Sequence, residues 1–167
     1  MQGKSLTSSM SEATVLFEDI LGAGSRLRVQ VTGKSMFPFL RAGDVVTLQK
    51  VPDDAMGRGD IIFFKNSHGL PVLHRLIKKK RHIDGIVMFQ TKGDALVAFD
   101  EPVREREVLG KVIKIEKMHG ATGTMDMESL QWRTINYLVT LILFAKSTIW
   151  RRLLGRMKRS KVPLNPT

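Results

Sequence analysis

One serine, one histidine and two aspartates are the side chains of this sequence that could together move a proton. Ser35 lies in "GKSMFPFLRAGDVV" (33–46), His74 in "VLHRLI", and Asp94 and Asp100 in "TKGDALVAFD". A serine hydroxyl is a poor nucleophile at neutral pH and needs a neighbouring base. An imidazole, which ordinarily titrates near about 6.5, can accept that proton at pH 7. A carboxylate then fixes the imidazole tautomer and stabilises the cation that forms. A serine, an imidazole and a carboxylate are thus all on hand at these positions, and the chemistry they could share is acyl transfer. Each member alone has a plainer reading. A serine before a proline-containing turn is commonplace, a strand histidine is more often packed or solvated than basic, and Gly-Asp is a common turn. The other histidines fall in a turn (His68, in "KNSHGLP"), in basic sequence (His82) and in linker sequence (His119). No histidine pair has metal-ligand spacing, no glycine-rich phosphate loop is present, and no metal or cofactor is expected.

The elements that must position these groups are short. From 26 to 118 the chain reads as runs separated by turn signals: "RLRVQVTG", "DVVTLQKV", "GDIIFFK", "PVLHRLIKKK", "IVMFQTKGD" and "VLGKVIKIEKM". Period-two alternation and this spacing predict a mainly β domain, a twisted antiparallel sheet or partly closed barrel. No long helix separates the runs, which argues against a parallel α/β sheet. Ser35 then falls at the end of the first strand, His74 inside the fourth, and both aspartates after the fifth. Three Gly-Asp pairs recur (43–44, 59–60, 93–94) in different contexts, without an internal repeat. Residues 1–25 read as a disordered, Ser-rich start to about 11 and a short amphipathic helix, with Ser11 as its cap and Val15, Leu16, Ile20 and Leu21 at helical spacing. Residues 119–129 read as a linker, and 130–167 as an apolar helix with a basic tail.

At 167 residues with a hydrophobic fraction of 43%, the chain can bury one core. It has no cysteine, which excludes disulfides, thiolate nucleophiles and cysteine-ligated metals. Its formal charge of +11 implies an anionic neighbour, with "KKKR" at 78–81 and "RRLLGRMKRSK" at the tail carrying much of it. The start of the chain has acids where the apolar region of a secretory signal would lie. The apolar stretch Tyr137–Ala145 is bracketed by Asn136 and Lys146 and is shorter than the roughly 20 residues a membrane span needs. It reads as an interfacial helix, with Trp132, Tyr137 and Trp150 at headgroup level and the arginines on acidic lipid. A helix packed on the domain or on a second subunit is the alternative. Contact with an acidic-lipid surface is expected through residues 130–160, at the cytoplasmic face and peripheral, and no specific nucleic-acid partner is expected.

Order and flanking residues add what the single members lack. "GKSMFPFLRAGDVV", "RGDIIFF", "LHRLI" and "FQTKGDALVAFD" follow one another over roughly residues 29–100, and together they resemble the box pattern of type I signal peptidases. In that family a Ser-Met-x-Pro turn carries the nucleophile, a Gly-Asp-hydrophobic strand follows, a basic residue beside arginine is the base, and a Gly-Asp turn closes the site. The base position here is His74, ahead of Arg75, as in the endoplasmic-reticulum, archaeal and sporulation-type branch. That branch has a second aspartate six residues after its Lys-Gly-Asp, the separation of Asp94 and Asp100. The resemblance implies Ser35 as nucleophile, His74 as general base, Asp100 as the carboxylate that orients it and Asp94 as a supporting acid. It also implies a substrate-binding surface at Gly33, Met36, Phe37 and Pro38, with Pro38 stiffening the turn and biasing Phe37 toward an extended shape. Met36 and Phe37 read as apolar lining, although either can equally be a core residue.

The sequence departs from the family at three places. Ala95 and Leu96 follow the last Gly-Asp, where asparagine is frequent. Gly33 replaces a hydroxyl that in some members donates to the oxyanion, so the donors must be backbone N–H groups. One lost donor costs about 10²–10³ in rate where it matters, which implies a slower enzyme. The usual N-terminal membrane anchor is not legible, so anchoring is expected from the C-terminal helix or residues 12–22. The resulting expectation is a serine endopeptidase acting on leader or signal-type peptides bound in extended form, a dedicated maturase rather than a bulk processing enzyme. Two other classes compete. One is the related autocleaving repressor fold, disfavoured by a short N-terminal stretch and by His74. The other is a catalytically idle β-rich binding module that uses its basic tail on acidic lipid or nucleic acid.

Overall fold

The computed structural model describes residues 2–120 and 123–159, with side chains for 12–120 and 123–148. Helix α1 (Gln2–Gly22) leads into strands β1 (Leu27–Gln30), β2 (Val45–Gln49), β3 (Ile61–Lys65), β4 (Pro71–Arg81), β5 (Val87–Lys92), β6 (Val103–Arg104), β7 (Val108–Lys117) and β8 (Gly123–Asp126). Helix α2 (Leu130–Arg159) follows. The strands form one sheet in the order β1-β2-β7-β3-β4-β5-β6, and β8 pairs with β7 off that path. Every pairing is antiparallel. The sheet is curled into a half-barrel, as the period-two runs predict. Register shifts at Thr47/Leu48, Phe63/Phe64 and Leu76/Lys78 mark the irregularities that let such a sheet bend.

The unbroken apolar run "IIFF" in β3 has a direct cause. Ile61 and Phe63 belong to a core with Leu21, Met36, Leu40 and Leu48, whereas Ile62 and Phe64 belong to a second core with Leu76, Phe89 and Val103. A central strand covered on both faces has no polar side to alternate with. The neighbouring β4 alternates in the same way. His74 stands opposite Ile62 and Arg75 opposite Ile61 in the β3–β4 register, so consecutive residues serve opposite faces.

The structure differs from the sequence reading in three places. Helix α1 begins at Gln2, so the stretch to about residue 11 is helical in backbone. The helix presents Thr14, Phe17 and Leu21 inward, while Val15 and Leu16 are exposed; Phe17 packs on Phe63 with ring centroids 5.8 Å apart. The helical period is there, but the aromatic contact rotates the buried stripe away from the two aliphatics. The stretch read as a linker contains β8, which extends the sheet along the end of β7. Trp150 and the tail arginines lie outside the described side chains, and residues 160–167 outside the described chain.

The first Gly-Asp pair is structural. Gly43 adopts φ +97°, and Asp44 is fully buried, accepting from Lys117 Nζ (2.8 Å), Arg41 N (3.0 Å) and Met118 N (3.1 Å). Burial pushes the Asp44 carboxyl up, but these donors more than offset it and hold it below its ordinary 3.8. The resulting stability is fully present above pH 3.8 and is lost as pH falls through the lower folded value. Asp44→Asn is therefore expected to cost about 1–3 kcal/mol at pH 7, with a smaller deficit against the parent at pH 3. Denaturant unfolding at the two pH values measures this, and a deficit that grows on acidification contradicts it.

Candidate active site

The turn that carries Ser35 is tied down at both flanks. Phe37 N donates to Lys34 O (3.1 Å) and Leu40 N to Met36 O (2.9 Å). Met36 and Leu40 are buried in the first core, and the Phe37–Pro38 peptide is cis. Phe37 is 51% exposed, so of the two residues read as lining it is Phe37 that faces outward, while Met36 is core. Pro38 borders a large groove, and Gly33 is exposed with no neighbour within 4 Å of where a Cβ would lie. Lys117 Nζ bonds the Phe39 carbonyl as well as Asp44, which fastens the far end of the turn. Among the described residues the Ser35 hydroxyl makes no hydrogen bond.

The Gly93–Asp94 turn lies directly against this serine. Ala95 N donates to Ser35 O at 2.8 Å. A Cβ on Gly93 would sit 2.7 Å from that same carbonyl oxygen and 3.0 Å from His74 Nε2. Glycine is required there because of space alone, whereas Gly43 and Gly59 also adopt positive φ. The same point therefore touches the serine backbone and the far nitrogen of the imidazole.

His74 is buried, 6% exposed, with its ring edge-on to Phe64. Its Nδ1 lies 2.7 Å from Asp100 Oδ2, and Thr91 Oγ1 donates to the same oxygen at 2.7 Å. Asp100 N in turn donates to Thr91 O at 3.0 Å. Burial raises the Asp100 carboxyl, but the bonds from His74 and Thr91 and the nearby charge of Lys92 outweigh it and leave the group below its ordinary value. An ionised carboxylate only accepts, so Nδ1 carries the hydrogen. The lone pair of neutral His74 is thereby placed on Nε2, the nitrogen next to Gly93 and the serine turn.

Asp94 is engaged elsewhere. Arg75, fully buried, donates Nε to Asp94 Oδ1 (2.9 Å) and Nη2 to Asp94 Oδ2 (2.7 Å). Its Nη1 donates to Gly59 O (3.0 Å) and Asn136 Oδ1 (2.7 Å). Asp100 is thus the aspartate in contact with His74, and Asp94 anchors its own turn. Lys92, 1% exposed, neighbours both acids; burial lowers its ammonium and Lys146 adds to that, against Asp94 and Asp100. Thr91 and Asn136 enter the network without any motif to announce them, and Arg75 was legible only as the neighbour of His74. Thr91 pairs with Leu76, two residues beyond His74 on β4, and so shares the face of the sheet that His74 serves.

Three hollows surround these groups. One of about 720 Å³ opens on His74 and Asp100 and is lined also by Phe64, Val72, Glu101 and Val103. One of about 640 Å³ borders the serine turn at Lys34, Phe37 and Ala95. The third, about 880 Å³, runs between the turn and α2 past Phe39, Trp132, Ile135 and Val139. Among the described residues no group of three His, Cys, Asp or Glu side chains could hold a metal ion.

No family model matches the chain. It is similar to the signal peptidase complex catalytic subunit SEC11C of Homo sapiens, Canis lupus familiaris and Mus musculus, at 32% identity over 89 residues in each case. The match covers 51% of this chain and 46% of each relative, so the chain spans about half the length of the curated relatives it matches.

Proposed function

We propose that this protein is a serine endopeptidase of signal-peptidase type, with histidine as its base, that cleaves leader or signal-type peptides. The observation that carries the reading is the Asp100–His74 pair, whose free Nε2 abuts Gly93 and the Ser35 turn. In the first half-reaction Ser35 Oγ attacks the scissile carbonyl carbon and its proton passes to His74 Nε2. The tetrahedral oxyanion accepts from backbone N–H groups of the serine turn, and Asp100 stabilises the imidazolium. The C–N bond then breaks, His74 protonates the leaving amine, and an acyl-serine remains. Water gives a proton to His74, attacks the acyl carbon and releases the acid, and the proton returns to Ser35. Asp94 supports the turn through Arg75. Exposed Phe37, Leu96 and Val97 give the rim an apolar character suited to hydrophobic leader segments. A fluorophosphonate probe is expected to label the native chain on Ser35 and to leave the denatured chain and Ser35→Ala unlabelled. Equal labelling of the native and denatured protein overturns the assignment.

The same reading includes a bilayer surface. Among the described side chains of α2 the buried ones are polar (Asn136, Thr140, Ser147), while Tyr137, Leu138, Leu141, Ile142 and Phe144 are exposed. This polarity is the reverse of a helix facing water, and the sequence continues into Arg151, Arg152, Arg156, Lys158 and Arg159. Among the described residues no helix is long and apolar enough to cross a membrane. We assign the outer face of α2 to an acidic lipid surface, with the enzyme peripheral to it. Vesicles of phosphatidylcholine with phosphatidylserine are expected to carry the protein in flotation, and high salt to weaken this. Leu138→Ser with Ile142→Ser is expected to reduce recovery about tenfold or more. Recovery unchanged by those substitutions and by salt rules the assignment out.

A further inference from the structure

Asn136 belongs to the C-terminal helix yet bonds into the centre of the site. Its Oδ1 accepts from Arg75 Nη1 at 2.7 Å, and the residue is 3% exposed. The helix is pressed onto this point. A Cβ on Gly59 would lie 2.9 Å from the Asn136 carbonyl carbon and 3.0 Å from Tyr137 N. The guanidinium held there reaches both segments that meet at Gly93. It holds Asp94 with two bonds, and its Cζ lies 4.6 Å from the Phe39 ring centroid, inside the serine turn. Phe39 in turn meets Trp132 of α2 edge-on, with centroids 6.4 Å apart. One planar cation therefore sets the spacing between the Ser35 turn and the Gly93–Asp94 turn. Its plane is fixed by acceptors on two sides, and the acceptor opposite Asp94 comes partly from α2.

We propose that Asn136 is a positioning residue for the reaction assigned to Ser35 and His74, which makes α2 part of the catalytic device as well as its lipid-facing element. The inference rests on that peptidase reading. Without the Asn136 oxygen, Nη1 keeps only Gly59 O, and the guanidinium can tilt within its slot. The tilt passes to Asp94, to the Ala95–Ser35 bond and to the narrow gap at Gly93, where an added Cβ would meet His74 Nε2 at 3.0 Å. Misplacing reacting groups by about 1 Å costs on the order of 10²-fold in rate without weakening binding to match.

The test uses the full chain and a fluorogenic leader peptide with a small residue before the cleaved bond. Asn136→Ala is expected to lower kcat by about 10–100-fold with KM within about threefold. Asn136→Asp keeps an acceptor oxygen at the same reach and is expected to stay within about threefold of the parent kcat. Hydrogen exchange at the Ala95 and Leu40 amides is expected to quicken in the alanine variant and not in the aspartate one. Should Asn136→Ala fail to fold, Asn136→Ser, with its acceptor withdrawn toward the backbone, takes its place with the same expected losses. Parent-like kcat and exchange in Asn136→Ala overturn the proposal. Equal losses in the alanine and aspartate variants also overturn it, because they trace to helix packing and not to the acceptor. If the parent shows no Ser35-dependent cleavage, the peptidase reading falls, and the exchange comparison alone decides whether Asn136 orders the two turns.

Discussion

Ser35→Ala is expected to remove leader-peptide cleavage, lowering kcat by about 10⁴–10⁶ while the unfolding midpoint stays within experimental error of the parent. The two halves of this result have separate causes. The rate falls because alanine has no atom to form the acyl-enzyme. Stability holds because the hydroxyl makes no hydrogen bond among the described residues, so its removal strands no partner. His74→Ala is expected to match the loss in kcat, and the double variant to be no slower than either single one. Nucleophile and base act as one unit, and once either is gone the other has nothing to do. Asp100→Asn is a sharper probe of the same unit. Its amide can donate to Nδ1, which moves the imidazole hydrogen to Nε2 and removes the lone pair that must accept from serine, a loss of about 10⁴. Single-turnover assays on purified protein resolve these cases. A kcat within tenfold of the parent for Ser35→Ala, or multiplicative losses in the double variant, would refute the shared mechanism.

The sheet was legible because its strands obey one local rule. Alternating residues in β1 and β5 and Gly-Asp turns before β2 and β3 mark their boundaries without reference to distant parts of the chain. Strands β6 and β8 were not legible. Two residues in one and a Gly-Thr start in the other carry no period, and their strand character comes from the β5 and β7 edges they pair with. The site divides the same way. Ser35, His74 and Asp100 stand in motifs whose flanking residues announce them. Arg75 could be seen, but its function depends on Asn136, 61 residues away on an element whose orientation no local pattern specifies. Met36 and Phe37 illustrate the limit at its finest scale: adjacent apolar residues, of which the turn buries one and turns the other out.

Arg75→Met is expected to be the most destabilising substitution in the domain, by about 3–5 kcal/mol, because it strands a buried acid. The Asp94 side chain is only 3% exposed and receives two bonds from the guanidinium it would lose. Gly59 O and Asn136 Oδ1 lose a donor in the same change. The cost belongs to the carboxylate left without its cation, not to the net worth of the pair, since a well-filled apolar pair can match a buried ion pair. Adding Asp94→Asn to Arg75→Met removes the stranded charge and is expected to recover roughly half of the loss, so the two substitutions are strongly non-additive. Urea unfolding of the parent, both single variants and the double variant gives the coupling directly. Additive free energies would mean that the guanidinium and carboxylate do not depend on one another. In that case the frame that holds the serine turn against Gly93 would have to come from the Ala95–Ser35 backbone bond and the strands.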